Sequence, residues 1–158
     1  MRHSSVSAFD AVLEYLESEE LVFAVVEPGR AVAIELDDEE ATWSCTAIWD
    51  DEDETLFFYG ACGVVPPARL AAAAEYITRA NSGLSVGNLE MDYDDGEVCV
   101  KTSADLTDLE VVTALIDHLL GANVVAVAAF APGLLEVIEG RDPAEAYASV
   151  LAAQDEES

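Results

Sequence analysis

Basic residues are nearly missing from this chain: six Lys and Arg stand against 33 Asp and Glu in 158 residues, for a formal net charge of −27. That excess repels phosphate backbones and anionic headgroups alike, which argues against nucleic acid or a membrane surface as a partner. A solvated surface or salt adaptation explains it as well as a docking face for a basic partner does. Cysteine is sparse: Cys45, Cys62 and Cys99 are odd in number, widely spaced and never in a C-x-x-C arrangement, so they read as reduced core thiols. The two histidines, His3 and His118, lie 115 positions apart, and a zinc site has no support. His118 falls at helical spacing between Leu115 and Leu119, where a surface histidine is the simpler reading. The glycines of Gly83-Leu84-Ser85-Val86-Gly87 lack the spacing and the lysine of a phosphate loop. The run Asp92-Tyr93-Asp94-Asp95-Gly96 fails as a calcium loop, because aligning Gly96 with its glycine puts Met91 and Tyr93 where carboxylates are needed. Acidic clusters at residues 37–40 and 50–54 sit between strands with no histidine beside them and read as solvated turns. No catalytic residue, cofactor or metal is expected. The longest charge-free apolar run, residues 124–135, holds Pro132-Gly133 and is too short to span a bilayer, which takes about 20 residues. Met1-Arg2-His3 leads into an amphipathic pattern without an apolar signal segment, so a cytoplasmic location is expected.

What the chain does have is a 52% hydrophobic composition, ample for the core of one domain. Residues 1–153 are expected to form it, with 154–158 a frayed acidic tail. Ser7 with Asp10 can cap a first helix whose Val6, Phe9, Leu13 and Leu16 share a face. Residues 21–26 and 31–36 flank a Pro28-Gly29 turn; the second reads as a strand, the first as strand or connector. Residues 41–49 alternate, with Trp43, Cys45, Ala47 and Trp49 on one face, and an acidic turn leads to a paired strand at 55–61. Pro66-Pro67 opens a helix with a small apolar side of Leu70, Ala73, Ala74, Ile77 and Ala80. Thr107 and Glu110 have capping-box spacing ahead of a long helix with Val111, Leu115, Ile116, Leu119 and Leu120 on one stripe. Every residue from 124 to 130 is apolar, Pro132-Gly133 is expected to break or kink the segment, and Asp142-Pro143 starts a last helix.

The clearest local instruction lies at residues 80–103. Asn81-Ser82-Gly83 is expected to end a helix, residues 87–93 and 97–102 alternate, and Asp94-Asp95-Gly96 turns between them, with Gly96 supplying positive φ. Asn81, Gly87-Asn88, Glu90, Asp92, Asp95-Gly96-Glu97 and Lys101-Thr102-Ser103 together resemble the signature of the YbjN-like bacterial proteins. Leu89 stands where that pattern often has an aromatic residue, and Lys101 where it often has arginine.

This resemblance implies a fold like that of the small type III secretion chaperones. The expected class is α+β: an antiparallel sheet of about five strands with helices on one face, in the order α-β-β-β-α-β-β-α. It also implies a homodimer that binds other polypeptides without catalysis, engaging an aliphatic or basic segment. The alternative it leaves open is a sensory or regulatory protein holding a small ligand. Candidate partner anchors are Trp43, Trp49, Phe57 and Tyr59, since large aromatics on a sheet face can dominate an interface; an ordinary core role competes. Candidate dimer contacts are Leu115, Leu119, Val125 and Phe130.

Overall fold

The computed structural model describes residues 7–37, 42–111 and 113–157. The expectations for His3, for Val6, for residues 38–40 of the acidic loop and for Ala41 fall outside them. The elements are α1 (Ala8–Ser18), β1 (Val22–Glu27), β2 (Ala31–Asp37), β3 (Thr42–Asp50), β4 (Thr55–Val64), α2 (Leu70–Gly83), β5 (Asn88–Met91), β6 (Glu97–Asp105), α3 (Thr113–Ile138) and α4 (Pro143–Glu157). The fold is α+β, and its antiparallel sheet has the order β1-β2-β3-β4-β6-β5. The sheet holds one strand more than the expected five, because residues 22–27 pair with β2 rather than serving as a connector, so four strands separate the first two helices.

The chain divides into two compact units, residues 1–59 with 102–121 and residues 60–101 with 122–158; β4, β6 and α3 each contribute residues to both. In the first unit, Ser7 caps α1 by accepting the Asp10 N–H at 3.1 Å. The helix packs on β3 and buries Phe9, Val12, Tyr15 and Leu16. The Tyr15 hydroxyl donates to Asp117 Oδ1 at 2.6 Å. Burial and that carboxylate push the Tyr15 hydroxyl's pKa far above its usual value, so it remains a donor at any ordinary pH. Register puts Ile34 opposite Cys45 and Val32 opposite Ala47, and all four are buried. Leu56 and Phe58 add β4 to this core, each large buried side chain stabilising by about 1.5–3 kcal/mol.

The capping-box expectation at Thr107 is not met. Asp105 Oδ1 takes both the Thr107 N–H, at 2.9 Å, and its hydroxyl, at 2.6 Å. Such a local side-chain turn competes with a helix start, and α3 begins at Thr113.

In the second unit, α2 packs against α4 and β5. The buried Tyr76 hydroxyl donates to the Phe130 carbonyl at 2.7 Å. A Cβ on Gly133 would come within 2.4 Å of that hydroxyl oxygen, so glycine is what lets α2 approach. Pro132 lies inside α3, which runs on to Ile138 instead of breaking there. Arg69 closes the end of α3 by donating from Nε to the Val137 carbonyl at 2.8 Å and from Nη2 to the Arg141 carbonyl at 3.0 Å. By length and composition α3 could cross a membrane, and it buries Ile116, Leu120, Phe130 and Leu134 inside the protein. Helix α4 continues to Glu157, so residues 154–157, expected as a tail, form its exposed last turn. None of the three cysteines is joined in a disulfide. Burial pushes Cys62 up to about 12 and Cys99 to about 11, which leaves both unreactive near neutrality.

Candidate protein-binding surface

Alternation along the strands of the first unit gives the sheet a core face and a second face. In β4, Leu56 and Phe58 are buried while Phe57 and Tyr59, which alternate with them, are half-buried, so these two point to the second face. Their rings stack with centroids 5.8 Å apart and planes 17° off parallel. Trp43 and Trp49 belong to the other set. They share the parity of Cys45 and Ala47 in β3, and Trp43 lies opposite Leu36 in the register, so both flank the core at the strand's two ends. The structure thus brings together one pair of candidate anchors and assigns the tryptophans to the opposite face.

On the second face, register sets Ala33 opposite Thr46 and Glu35 opposite Ser44. Asp37, opposite Thr42, accepts that residue's hydroxyl at 2.9 Å. On this face β3 contributes Thr42, Ser44, Thr46 and Ile48, with Ala31 opposite Ile48, and the carboxylates of β2 stand opposite Ser44 and Thr42.

Edge strand β1 was not recognised from sequence as a surface feature. Val22 is 61% exposed and Val26 66%, with Val25 also outside the core. A register shift between Val25 and Glu27 marks a bulge at its far end. The signal was present as an apolar run bounded by Glu19-Glu20 and Glu27, but apolar runs are ordinarily taken for core.

Of the candidate dimer contacts, Leu119 and Phe130 are buried within this chain and Leu115 is half-buried, whereas Val125 is 69% exposed on α3. Leu135, ten residues further along α3, is 50% exposed.

The signature residues 81–101 form a structural lock in the second unit. The Asn81 carboxamide accepts the Leu89 N–H at 2.7 Å and donates to the Leu89 carbonyl at 3.1 Å, acting as a substitute strand partner for β5. The segment Asn81-Ser82-Gly83 ends α2 as expected, with Gly83 its last residue and the Leu84 N–H donating back to the Asn81 carbonyl at 3.3 Å. Gly87 takes φ +78°, as only glycine does readily. Gly96, also at φ +78°, presses so close to the backbone just after β4 that a Cβ would lie 2.0 Å from the Val65 carbonyl oxygen. Its own carbonyl accepts the Val65 N–H at 2.8 Å. Asp92 and Asp95 accept the N–H groups of Asp94 and Glu97, each at 2.8 Å, and shape the turn. Lys101 pairs with Glu90, and Asn88 Nδ2 donates to the same carboxylate at 3.3 Å. Partial burial raises the Glu90 pKa, but the Lys101 and Asn88 hydrogen bonds outweigh it and hold the carboxyl below the usual range. None of these groups is left to carry chemistry. Among the described residues, no three His, Cys, Asp or Glu side chains gather into a metal-holding group.

A family model described as "Putative bacterial sensory transduction regulator", YbjN, matches residues 8–136. No curated protein matches the sequence. Among solved structures, the crystal structure of YbjN from E. coli is similar with a TM-score of 0.57 at 15% identity, over 85% of this chain and 91% of that one. The HopA1–SchA chaperone–effector complex holds a chain similar at TM-score 0.52 and 14% identity, covering 80% of this chain and 94% of that one. The Yersinia pestis type III secretion chaperone SycH, solved with a fragment of YscM2, gives a TM-score of 0.50 at 17% identity, over 80% of this chain and 99% of that one.

Proposed function

The chain belongs to the YbjN family, and from the surface just described we propose that it is a non-catalytic, chaperone-like adaptor that engages another polypeptide. The observation that carries the reading is β1: an edge strand of six residues whose exposed side chains include Val22, Val25 and Val26. An edge offers a row of backbone donors and acceptors, and an added extended segment can pair with it while its side chains meet the valines. Two of the similar structures are chaperones solved with effector or fragment chains, which favours the same class of partner here. A cytoplasmic location goes with this role. The test is affinity capture from a native lysate followed by mass spectrometry. A polypeptide recovered in stoichiometric amount, and lost with the double substitution Val22→Lys and Val26→Lys, supports the adaptor. Capture of no protein, with a small molecule retained in native mass spectrometry, supports the sensory reading of the family description instead.

The adaptor is a homodimer in this reading, with Val125 and Leu135 of α3 at the contact. Both are exposed aliphatics on a helix that carries two carboxylates, Asp117 and Glu136, in 26 residues. In a chain of net charge −27, two copies approach with least repulsion where each is uncharged. Light scattering is expected to give twice the monomer mass, and Val125→Asp to halve it.

A further inference from the structure

We propose that the groove between α2 and the second half of α3 is a docking site for a helix, that α4 is its resident occupant, and that a helix of the protein partner displaces α4 from it. The proposal rests on the protein-binding reading and adds a second, regulated contact. Three observations within the second unit carry it. The receiving side is notched by glycine. A Cβ on Gly133 would lie 2.9 Å from Val150 Cγ2, and one on Gly83 would lie 3.1 Å from the Tyr147 hydroxyl oxygen, so α4 seats two side chains where α3 and α2 have none. The groove also lies within the family-matched span and its occupant does not: Tyr76, Gly83 and Gly133 fall inside residues 8–136, whereas α4 begins at Pro143. Finally, α4 is lightly held. Its buried residues are Pro143, Ala146 and Val150, and everything from 151 to 157 is exposed. Its last turn has no basic residue and holds Asp155, Glu156 and Glu157, where the helix carbonyls disfavour negative charge. Arg141 adds a hydrogen bond to Ser149 Oγ at 2.9 Å, but on the exposed side, where water competes for both groups.

A helix with few buried side chains opens locally at low free-energy cost. Whatever replaces α4 has to fill the same two notches, and α4 itself states the pattern in Ala146-Tyr147-Ala148-Ser149-Val150. The partner helix therefore carries an aromatic hydroxyl and, three residues on, a short β-branched aliphatic, two positions that share a helix face. Joined to α3 through residues 139–142, α4 acts on the groove at an effective concentration on the order of millimolar. It excludes weak ligands and yields to a helix that binds more tightly.

The probe is a fluorescent peptide of residues 142–157, titrated into the full chain and followed by anisotropy. The parent protein is expected to bind it weakly, because its own helix fills the groove. Val150→Asp in the chain unseats the resident helix and is expected to tighten peptide binding at least about 10-fold, while a peptide carrying the same substitution binds neither protein. Equal binding to parent and variant places the peptide elsewhere, and no binding to a folded Val150→Asp chain makes α4 a fixed part of the fold; either result overturns the proposal. Should Val150→Asp fail to fold, hydrogen exchange on the parent chain decides. Amides at 146–150 are expected to exchange at least about 10-fold faster than those at 73–80 of α2, and equal protection overturns the proposal. Competition tests the partner: capture of a polypeptide from lysate is expected to rise with Val150→Asp and to fall back when the peptide is added at saturation. The two readings fail separately. A partner captured equally by both proteins and indifferent to the peptide keeps the adaptor and removes the groove. Peptide binding as expected, with no polypeptide captured, supports the helix groove and removes the adaptor.

Discussion

The sheet has two edges, and the chain treats them in opposite ways. Strand β5 is four residues long, and the carboxamide of Asn81 occupies the outward N–H and carbonyl of Leu89. Leu89 itself is buried. Strand β1 is six residues long and exposes its valines, and among the described residues no side-chain amide plays the part of Asn81 there. Among the described residues its protection is the bulge before Glu27, a device that turns one end of an edge away from incoming strands. Folding needs both edges paired on one side. Only a sealed edge is secured against further pairing, so the difference separates a part of the molecule committed to its own stability from a part with bonding capacity to spare.

The sharpest way to break this contrast is to damage the sealed side. Gly96→Ala forces a Cβ to within 2.0 Å of the Val65 carbonyl oxygen while φ stays at +78°. Backbone cannot step aside as a flexible side chain can, so a loss of about 3–5 kcal/mol is expected. Urea denaturation monitored by circular dichroism would show it, and a change under 1 kcal/mol would remove the lock from the account. Asn81→Ala is the second in size. Losing a half-buried donor and acceptor together is expected to cost about 2–3 kcal/mol. Hydrogen exchange at Leu89 should rise with it, since that amide loses its partner.

Those two residues were legible in the sequence because the hairpin is local: a turn with glycine, flanked by alternating strands, needs no knowledge of the rest of the chain. Their reasons were not legible. Asn81 reads as part of a helix end, which it is, and only the return of Leu89 beside it eight residues later shows that it is also a strand clamp. The split of the aromatics was hidden for a different reason. In Thr55-Leu56-Phe57-Phe58-Tyr59, apolar residues occupy both parities, so alternation cannot say which set faces the core, whereas Trp43-Ser44-Cys45-Thr46-Ala47 carries its core face openly. Strand β1 reads as a connector or a strand because its exposed positions are valine, and the distinction lies in its pairing with β2. The apolar segment of α3 combined buried Ala126, Val127 and Phe130 with exposed Val125, a division that depends on where the sheet lies.

A smaller effect tests the sealed side by pH. Glu90 has a folded pKa below its unfolded value, so the Lys101 pair stabilises fully above the unfolded value of about 4.5, and the stabilisation disappears as pH falls through the lower folded value. Lys101→Met is therefore expected to flatten the acid limb of a melting-temperature profile, lowering stability at neutral pH and converging on the parent protein in acid. Both partners are partly exposed, so the difference at pH 7 stays below about 1 kcal/mol. A gap that widens on acidification would mean that the pair is not its source.

The smallest stability effect is expected at the open edge. Val26→Lys places a charge on a side chain already 66% exposed, at the bulge itself and outside the core. Surface changes of this kind stay within about 0.5 kcal/mol, and lysine is a residue that sheets use to blunt an edge. Stability and pairing should therefore part company: the melting curve should overlay that of the parent while capture of a polypeptide partner falls. At the sealed edge the two cannot be separated, because Asn81 and Gly96 hold the strand as well as close it. If Val26→Lys instead destabilises by several kcal/mol, β1 is anchored by its own side chains, and its exposed valines belong to the fold rather than to a partner.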